Sequence, residues 1–205
     1  MIHATGTPMA GTANESWTYD RIVAEGLDPR DWEVASGELV ERAPMSFAGA
    51  HLVVRLGRIL DEHVSARGLG AILGGERFVL SSSDPRIERR PDLAFLVRSR
   101  CPDTLTSPPF TQGAPDLAIE IYSPTDSLTE LTARLQQHLE YGAREGWLVA
   151  PELQTITVFK PGRPPRAYSR GDALESPELL PGLSLSIERL FAWPPQLDEP
   201  VPGQS

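Results

Sequence analysis

Lysine is almost missing from this chain: Lys160 is the only one, so 18 of the 19 basic residues are arginines. Arginine essentially never releases its proton, so chemistry that needs a neutral amine has a single candidate. Cysteine is equally scarce. Cys101 alone excludes an intramolecular disulfide, and in a Ser-Arg-Cys-Pro-Asp loop without a nearby histidine it reads as a structural thiol rather than a nucleophile. No apolar run approaches the ~20 residues of a membrane helix, and Met1–Trp17 lacks the charged and apolar regions of a leader segment. Positive charge is short as well. A net charge of -9 and a pI near 5.0 argue against a protein that holds nucleic acid through a general basic surface, while leaving room for a local patch. The sequence has no Gly-rich phosphate loop, zinc-type Cys/His spacing, serine elbow or internal repeat. The expectation is a cytoplasmic protein with no membrane partner.

What is present is material for one domain, since 205 residues suffice to bury roughly two-thirds of the unfolded surface. Residues 1–16 are small, polar and Gly/Thr-rich and read as a disordered segment. Residues 17–193 form the domain, and 194–205 a tail. Ser16 to Gly26 reads as a short helix. Trp32–Ala35 and Glu38–Glu41 flank Ser36-Gly37 as a hairpin, on which Glu33, Glu38 and Glu41 read as solvated. From Ser46 to Ala66, the stripe Leu52, Leu56, Ile59, Leu60 and His63 predicts a long amphipathic helix, with His51 on its flank as a helix-end histidine. Strands follow near 71–73 and 77–80, then from Asp92 to Val97. Arg86, Arg89, Arg90, Arg98 and Arg100 bracket the last one. They are either a solubilising strand end or a phosphate-facing rim around Asp92.

The stretch from Ala114 to Tyr141 organises the rest. Leu117 to Tyr122 is a short apolar run bounded by Pro115 and Ser123-Pro124, and reads as a buried strand. Asp116 and Glu120 lie four residues apart and so share a face of it. Like charges leaning into a buried face are costly unless a cation or hydrogen bonds neutralise them. A helix capped at Asp126 or Ser127 follows, with Leu128, Leu131, Leu135 and Leu139 as its apolar stripe and Arg134, His138 and Tyr141 along one flank. That flank can present polar groups back to the strand's carboxylates. Strands at 146–150 and 155–159, a Pro-rich stretch and a short helix at 187–191 complete the domain. Carboxylates on strands beside a helix suit a hard divalent cation such as Mg²⁺, which takes few carboxylates and keeps several waters.

Several of these segments together resemble one family. Pro115-Asp-Leu-Ala-Ile-Glu-Ile-Tyr-Ser-Pro124, the capped helix, Tyr141-Gly-Ala-Arg-Glu-Gly-Trp-Leu-Val149 and Leu180-Pro-Gly-Leu-Ser-Leu185 look like the Uma-type family of restriction-endonuclease-like proteins, within the PD-(D/E)XK nuclease superfamily. The likeness spans about residues 17–193. It implies an α/β fold (an α+β mixed sheet flanked by helices), a restriction-endonuclease-like core with an extra N-terminal hairpin and C-terminal strands. By the same resemblance Pro91-Asp92 matches the superfamily's Pro-Asp, Glu120 its (D/E), and Asp116 the family's second Pro-Asp. Tyr122 stands where the superfamily places lysine, and Arg134 holds the position to which the family's basic residue has moved. Glu41 matches the acidic residue near the first helix, with Glu38 its competitor.

The implied activity is metal-assisted hydrolysis of DNA. Asp92 and Glu120 would hold Mg²⁺ (or Mn²⁺), Arg134 would clamp the phosphate, and Arg86, Arg89 and Arg90 would meet the DNA backbone. Arginine supplies charge and paired hydrogen bonds but no base. Lys160, after the second C-terminal strand, reads as a surface residue rather than a substitute base. A homodimer would place two sites on two strands. Two other classes stand beside this one: a degenerate nuclease fold kept as a DNA- or protein-binding module, and a metal-independent carboxylate-pair hydrolase such as a glycosidase.

Overall fold

Each helix begins on a hydroxyl side chain that takes up an N–H the first turn leaves unpaired. Thr18 accepts from Arg21 N before α1 (Tyr19–Ala24), and Ser46 from Gly49 N before α2 (Phe47–Ala66). Ser127 accepts from Glu130 N before α3 (Leu128–Glu140), and Ser186 from Arg189 N before α4 (Ile187–Phe191). The computed structural model describes residues 16–193 except 36, 43, 85 and 105–109. Ser36 of the expected hairpin turn, nearly all of the expected disordered segment and the expected tail therefore lie outside the described residues.

The strands are β1 (Trp32–Ala35), β2 (Glu38–Glu41), β3 (Gly70–Gly74), β4 (Phe78–Val79), β5 (Glu88–Arg89), β6 (Leu93–Val97) and β7 (Thr111–Gln112). After them come β8 (Leu117–Ile121), β9 (Glu145–Ala150), β10 (Thr155–Lys160), β11 (Arg163–Tyr168), β12 (Ala173–Ser176) and β13 (Leu180–Ser186). Six of them form the main sheet, in the order β11-β10-β9-β8-β6-β3. β8 and β9 run parallel, as a crossover through α3 requires, and every other neighbouring pair in this sheet is antiparallel. This is the mixed sheet flanked by helices that the sequence predicted, with the extra N-terminal hairpin β1–β2.

Alternation along β8 divides the two faces. Leu117, Ile119 and Ile121 join Trp147 and Val149 of β9 under Leu52, Leu56, Leu60 and Val64 of α2, with the β12–β13 hairpin and α4 closing that core. Burying each such side chain stabilises by about 1.5–3 kcal/mol. Ala118 and Leu148 face the other way, under Leu131 and Leu135 of α3. Glu120 has the parity of Ala118 and so belongs to the α3 side. At Gly146 a Cβ would stand 3.3 Å from Leu135, a spacing that lets α3 lie close to the sheet.

Two details depart from the sequence reading. Leu128 is exposed, so the buried stripe of α3 is Leu131, Leu135 and His138. The Pro-rich stretch after Lys160 is the strand β11, which carries Pro164 and Pro165. Proline lacks an N–H for a ladder, and β11 can hold two because it is the sheet's edge.

The hairpin has its own small core. Val34 and Leu39, paired across it, pack on Trp17 and Ile22. It is fastened to the body through Glu88 of β5, whose Oε1 accepts Val34 N at 3.1 Å and pairs with buried Arg77. Arg77 also donates to Trp32 O at 3.0 Å.

Candidate active site

β6 and β8 bring two carboxylates together. Leu93 pairs with Ile119 and Ala94 with Ala118, so one further step sets Asp92 opposite Glu120. Asp92 Oδ2 accepts Ile121 N at 2.8 Å, which fixes its side chain against the neighbouring strand. Glu120 is 3% exposed. Burial, and then Asp92, push the Glu120 carboxyl well above the usual range. Burial also raises Asp92, against the opposing pull of the Ile121 N–H and Arg42. A buried and a half-buried carboxylate side by side call for a cation.

Three arginines and a third carboxylate surround them. Glu33 of β1 is buried and ion-paired with Arg42. Arg42 also donates to Arg90 O at 2.6 Å and reaches Asp92 Oδ1 at 3.4 Å. Burial alone would raise the Glu33 carboxyl, but Arg134, Arg42 and Arg89 hold it below the ordinary value. Arg134 of α3 faces Glu33, Glu120 and Asp126. Burial works against its charge, yet these carboxylates keep its guanidinium more firmly protonated than usual. Arg89 of β5 is depressed by burial and offset by Glu33 and Glu120, and its Nε has no hydrogen-bond partner. One turn beyond Arg134, His138 is fully buried, with both ring nitrogens unpartnered. Burial, and then Arg89, hold its pKa at about 3, so the ring is neutral.

The family resemblance named Asp92, Glu120 and Arg134, which the structure brings near one another, and did not name Glu33 or Arg42. Glu41 and Glu38 are exposed and outside this cluster. Strand parity is the reason for Glu41, while Glu38 shares Glu33's face but pairs with Ala35 at the turn end of the hairpin. Glu41 is paired with Trp32 and has the parity of Leu39, whereas Glu33 points to the opposite face. The signal available was that alternation: with Val34 and Leu39 assigned to a core, Glu33 had to face the other way.

Asp116 shares Glu120's parity but sits before the far end of β8. There its Oδ2 accepts Val97 N at 3.1 Å and pairs with Arg100 at 3.2 Å, so it ties the end of β6 rather than joining the cluster. Arg86, Arg89 and Arg90 of the expected rim have partners within the chain. Arg86 is bound to Asp84 and Ser16, and Arg90 to the carbonyls of Gly75 and Arg30, while Arg89 turns inward. Lys160 is half-buried rather than on the surface, bound at 2.8 Å to Glu145. Glu145 also accepts from Ser176 and Trp147, so the single lysine is committed elsewhere. Tyr122 packs against the core under α3, His51 lies edge-on to Trp193, and Tyr141 is exposed.

Among the described residues no three His, Cys, Asp or Glu side chains converge as a ready-made cation cage. The donor set is therefore Asp92 and Glu120 alone. Mg²⁺ and Mn²⁺ suit a pair of carboxylate oxygens completed by water or phosphate oxygens.

No helix of the described structure is long and apolar enough to cross a membrane. No curated protein matches the sequence. The chain is similar in fold to the crystal structure of "a putative nuclease belonging to DUF820" from Anabaena variabilis, with a TM-score of 0.74. The two are 23% identical, over 86% of this chain and 98% of that one. This places the sheet and its helices in the restriction-endonuclease-like fold expected from the sequence. Residues 19–188 match the Uma2 family, described as "Putative restriction endonuclease". With most of its length matched, the chain belongs to the Uma2 family of restriction-endonuclease-like proteins.

Proposed function

We propose that the protein is a nuclease that hydrolyses phosphodiester bonds in DNA with a divalent cation, Mg²⁺ or Mn²⁺, held by Asp92 and Glu120. The observation that carries this is the buried Glu120 carboxylate, set beside Asp92 on the neighbouring strand. When bound, the cation would acidify a water and offset charge at the phosphorus. The chain's own groups do the rest. Ile121 N–H orients Asp92. Arg134, kept charged by the carboxylates around it, gives paired hydrogen bonds to phosphate oxygens. Arg134 donates no base, and Lys160 is held by Glu145, so no lysine takes the attacking water's proton. A homodimer would apply two such sites to two strands.

A second reading is a DNA- or protein-binding module without cleavage. It is favoured by the charge balance of the cluster, in which Glu33, Asp92 and Glu120 already meet Arg42, Arg89 and Arg134. Nicking of supercoiled plasmid separates the two. The nuclease reading expects nicks with Mg²⁺ or Mn²⁺, none with EDTA, and none from Glu120→Ala or Arg134→Ala. Retardation of DNA without nicking in either metal would leave the module. Nicking by Glu120→Ala equal to wild type would overturn the assigned site.

A further inference from the structure

Arg42 has no counterpart among the residues that the mechanism needs, yet it sits closest to the carboxylates. It follows β2 directly, and its backbone N–H is held by Asp31 O at 2.8 Å, which fixes where its side chain starts. From there one guanidinium meets three acceptors: the Glu33 carboxylate, Arg90 O at 2.6 Å and Asp92 Oδ1 at 3.4 Å. The two oxygens of Asp92 are thus divided, Oδ2 to the Ile121 N–H and Oδ1 to Arg42. The Arg42–Asp92 contact is the long one of the set and Arg42 is 21% exposed, so the guanidinium has a route to solvent.

Resting on the proposed metal-dependent reading, we propose that Arg42 is a resident counter-cation of the carboxylate pair, which a divalent cation must displace from Asp92. Mutual repulsion disfavours a guanidinium and a divalent ion on one carboxylate. The guanidiniums of Arg42, Arg89 and Arg134 offset most of the negative charge of Glu33, Asp92, Glu120 and nearby Asp126, which weakens the pull on a free ion. Metal affinity in the unliganded protein is therefore set low by Arg42, and Glu33 is the group that holds Arg42 in its blocking position. The released guanidinium stays tethered by Glu33 within the cluster, where a phosphate can receive it. A side chain that competes with metal in the resting protein keeps such a site weakly loaded until substrate arrives.

The test is calorimetric titration with Mn²⁺ alone, with no DNA, on wild type, Arg42→Gln, Glu33→Gln/Arg42→Gln and Asp92→Asn, each checked for folding by circular dichroism. The double variant removes both partners together, so that no buried charge is stranded if the single variant folds poorly. The expectation is weak binding in wild type, at least about tenfold tighter binding in the variants lacking Arg42, and loss in Asp92→Asn. Equal or weaker binding in a folded variant lacking Arg42, with wild-type binding still lost in Asp92→Asn, would overturn the role of Arg42 and leave the metal site standing. No Mn²⁺ binding in any variant overturns the counter-cation. Together with an absence of plasmid nicking, that result removes the nuclease reading as well.

Discussion

Asp92 Oδ2 accepts the backbone N–H of Ile121 at 2.8 Å, so one carboxylate of the pair is pinned to the strand that carries the other. An amide oxygen can accept the same hydrogen bond without the charge. Asp92→Asn should therefore melt within about 4 °C of wild type, since about 1 kcal/mol moves a chain of this size by 2–4 °C. Asp92→Ala strands the N–H and should cost about 1–3 kcal/mol. Both should lose metal-dependent nicking. Thermal melts and plasmid assays on the pair check this, and a larger loss of stability in the asparagine variant would contradict it.

Glu33 and Glu41 lie on the same hairpin and should behave oppositely. Glu41 is exposed, so Glu41→Ala should stay within about 0.5 kcal/mol of wild type and keep full activity. Glu33→Ala removes the buried partner of Arg42 and should cost about 3 kcal/mol. Urea denaturation of the two variants measures the difference, and equal midpoints would show that Glu33 is not the buried member.

Lys160 is structural. Its ammonium is the cation facing buried Glu145, whose other partners are the Ser176 hydroxyl and the Trp147 indole. Lys160→Met should destabilise by about 3 kcal/mol while leaving nicking at low temperature unchanged. Activity lost in a folded Lys160→Met protein would instead make this lysine part of the chemistry.

His138 gives the protein an acid-sensitive component. Its pKa is about 3 in the folded protein, against 6.5 when unconstrained. Between those values the unfolded chain binds the extra proton, so stability falls as pH drops through that window, by up to about 1.4 kcal/mol per pH unit. Glu120 works in the opposite sense. With its folded pKa raised, the native state binds more protons just above 4.5, and this contribution improves as pH falls. Replacing His138 by Phe should therefore shrink the drop in melting temperature between pH 7 and pH 5. Arg89 and Glu33, which face the ring, remain in both proteins. An unchanged pH profile would mean that His138 is already charged or accessible.

The residues that alternate or cap were legible before any coordinates. Ser46 announced the start of α2, and Asp126 or Ser127 that of α3, where the structure has Ser127 as the cap. The apolar run 117–122 announced β8, and the Leu131–Leu135 spacing announced the face of α3 that covers it. Asp92, Glu120 and Arg134 were marked as a site by the family resemblance, whereas strand spacing alone paired Glu120 with Asp116. Pro164 and Pro165 concealed β11, since their cost in a strand depends on whether a neighbour needs the missing N–H, and only the sheet order shows that none does.

By itself the sequence determined the helices, the central strands, the carboxylate that closes β8 and the shortage of lysine that rules out a second amine base. Those follow from local steric and hydrogen-bonding preferences acting within a few residues. Tertiary structure alone decided that Arg42 lies against Asp92, that Asp116 and Lys160 belong to other contacts, and that Arg90 is occupied. The Glu33–Arg42 and Arg42–Asp92 contacts, for example, join residues 9 and 50 positions apart. Electrostatic partners are chosen by the distance between groups and their burial after folding, and neither quantity is written in residue spacing.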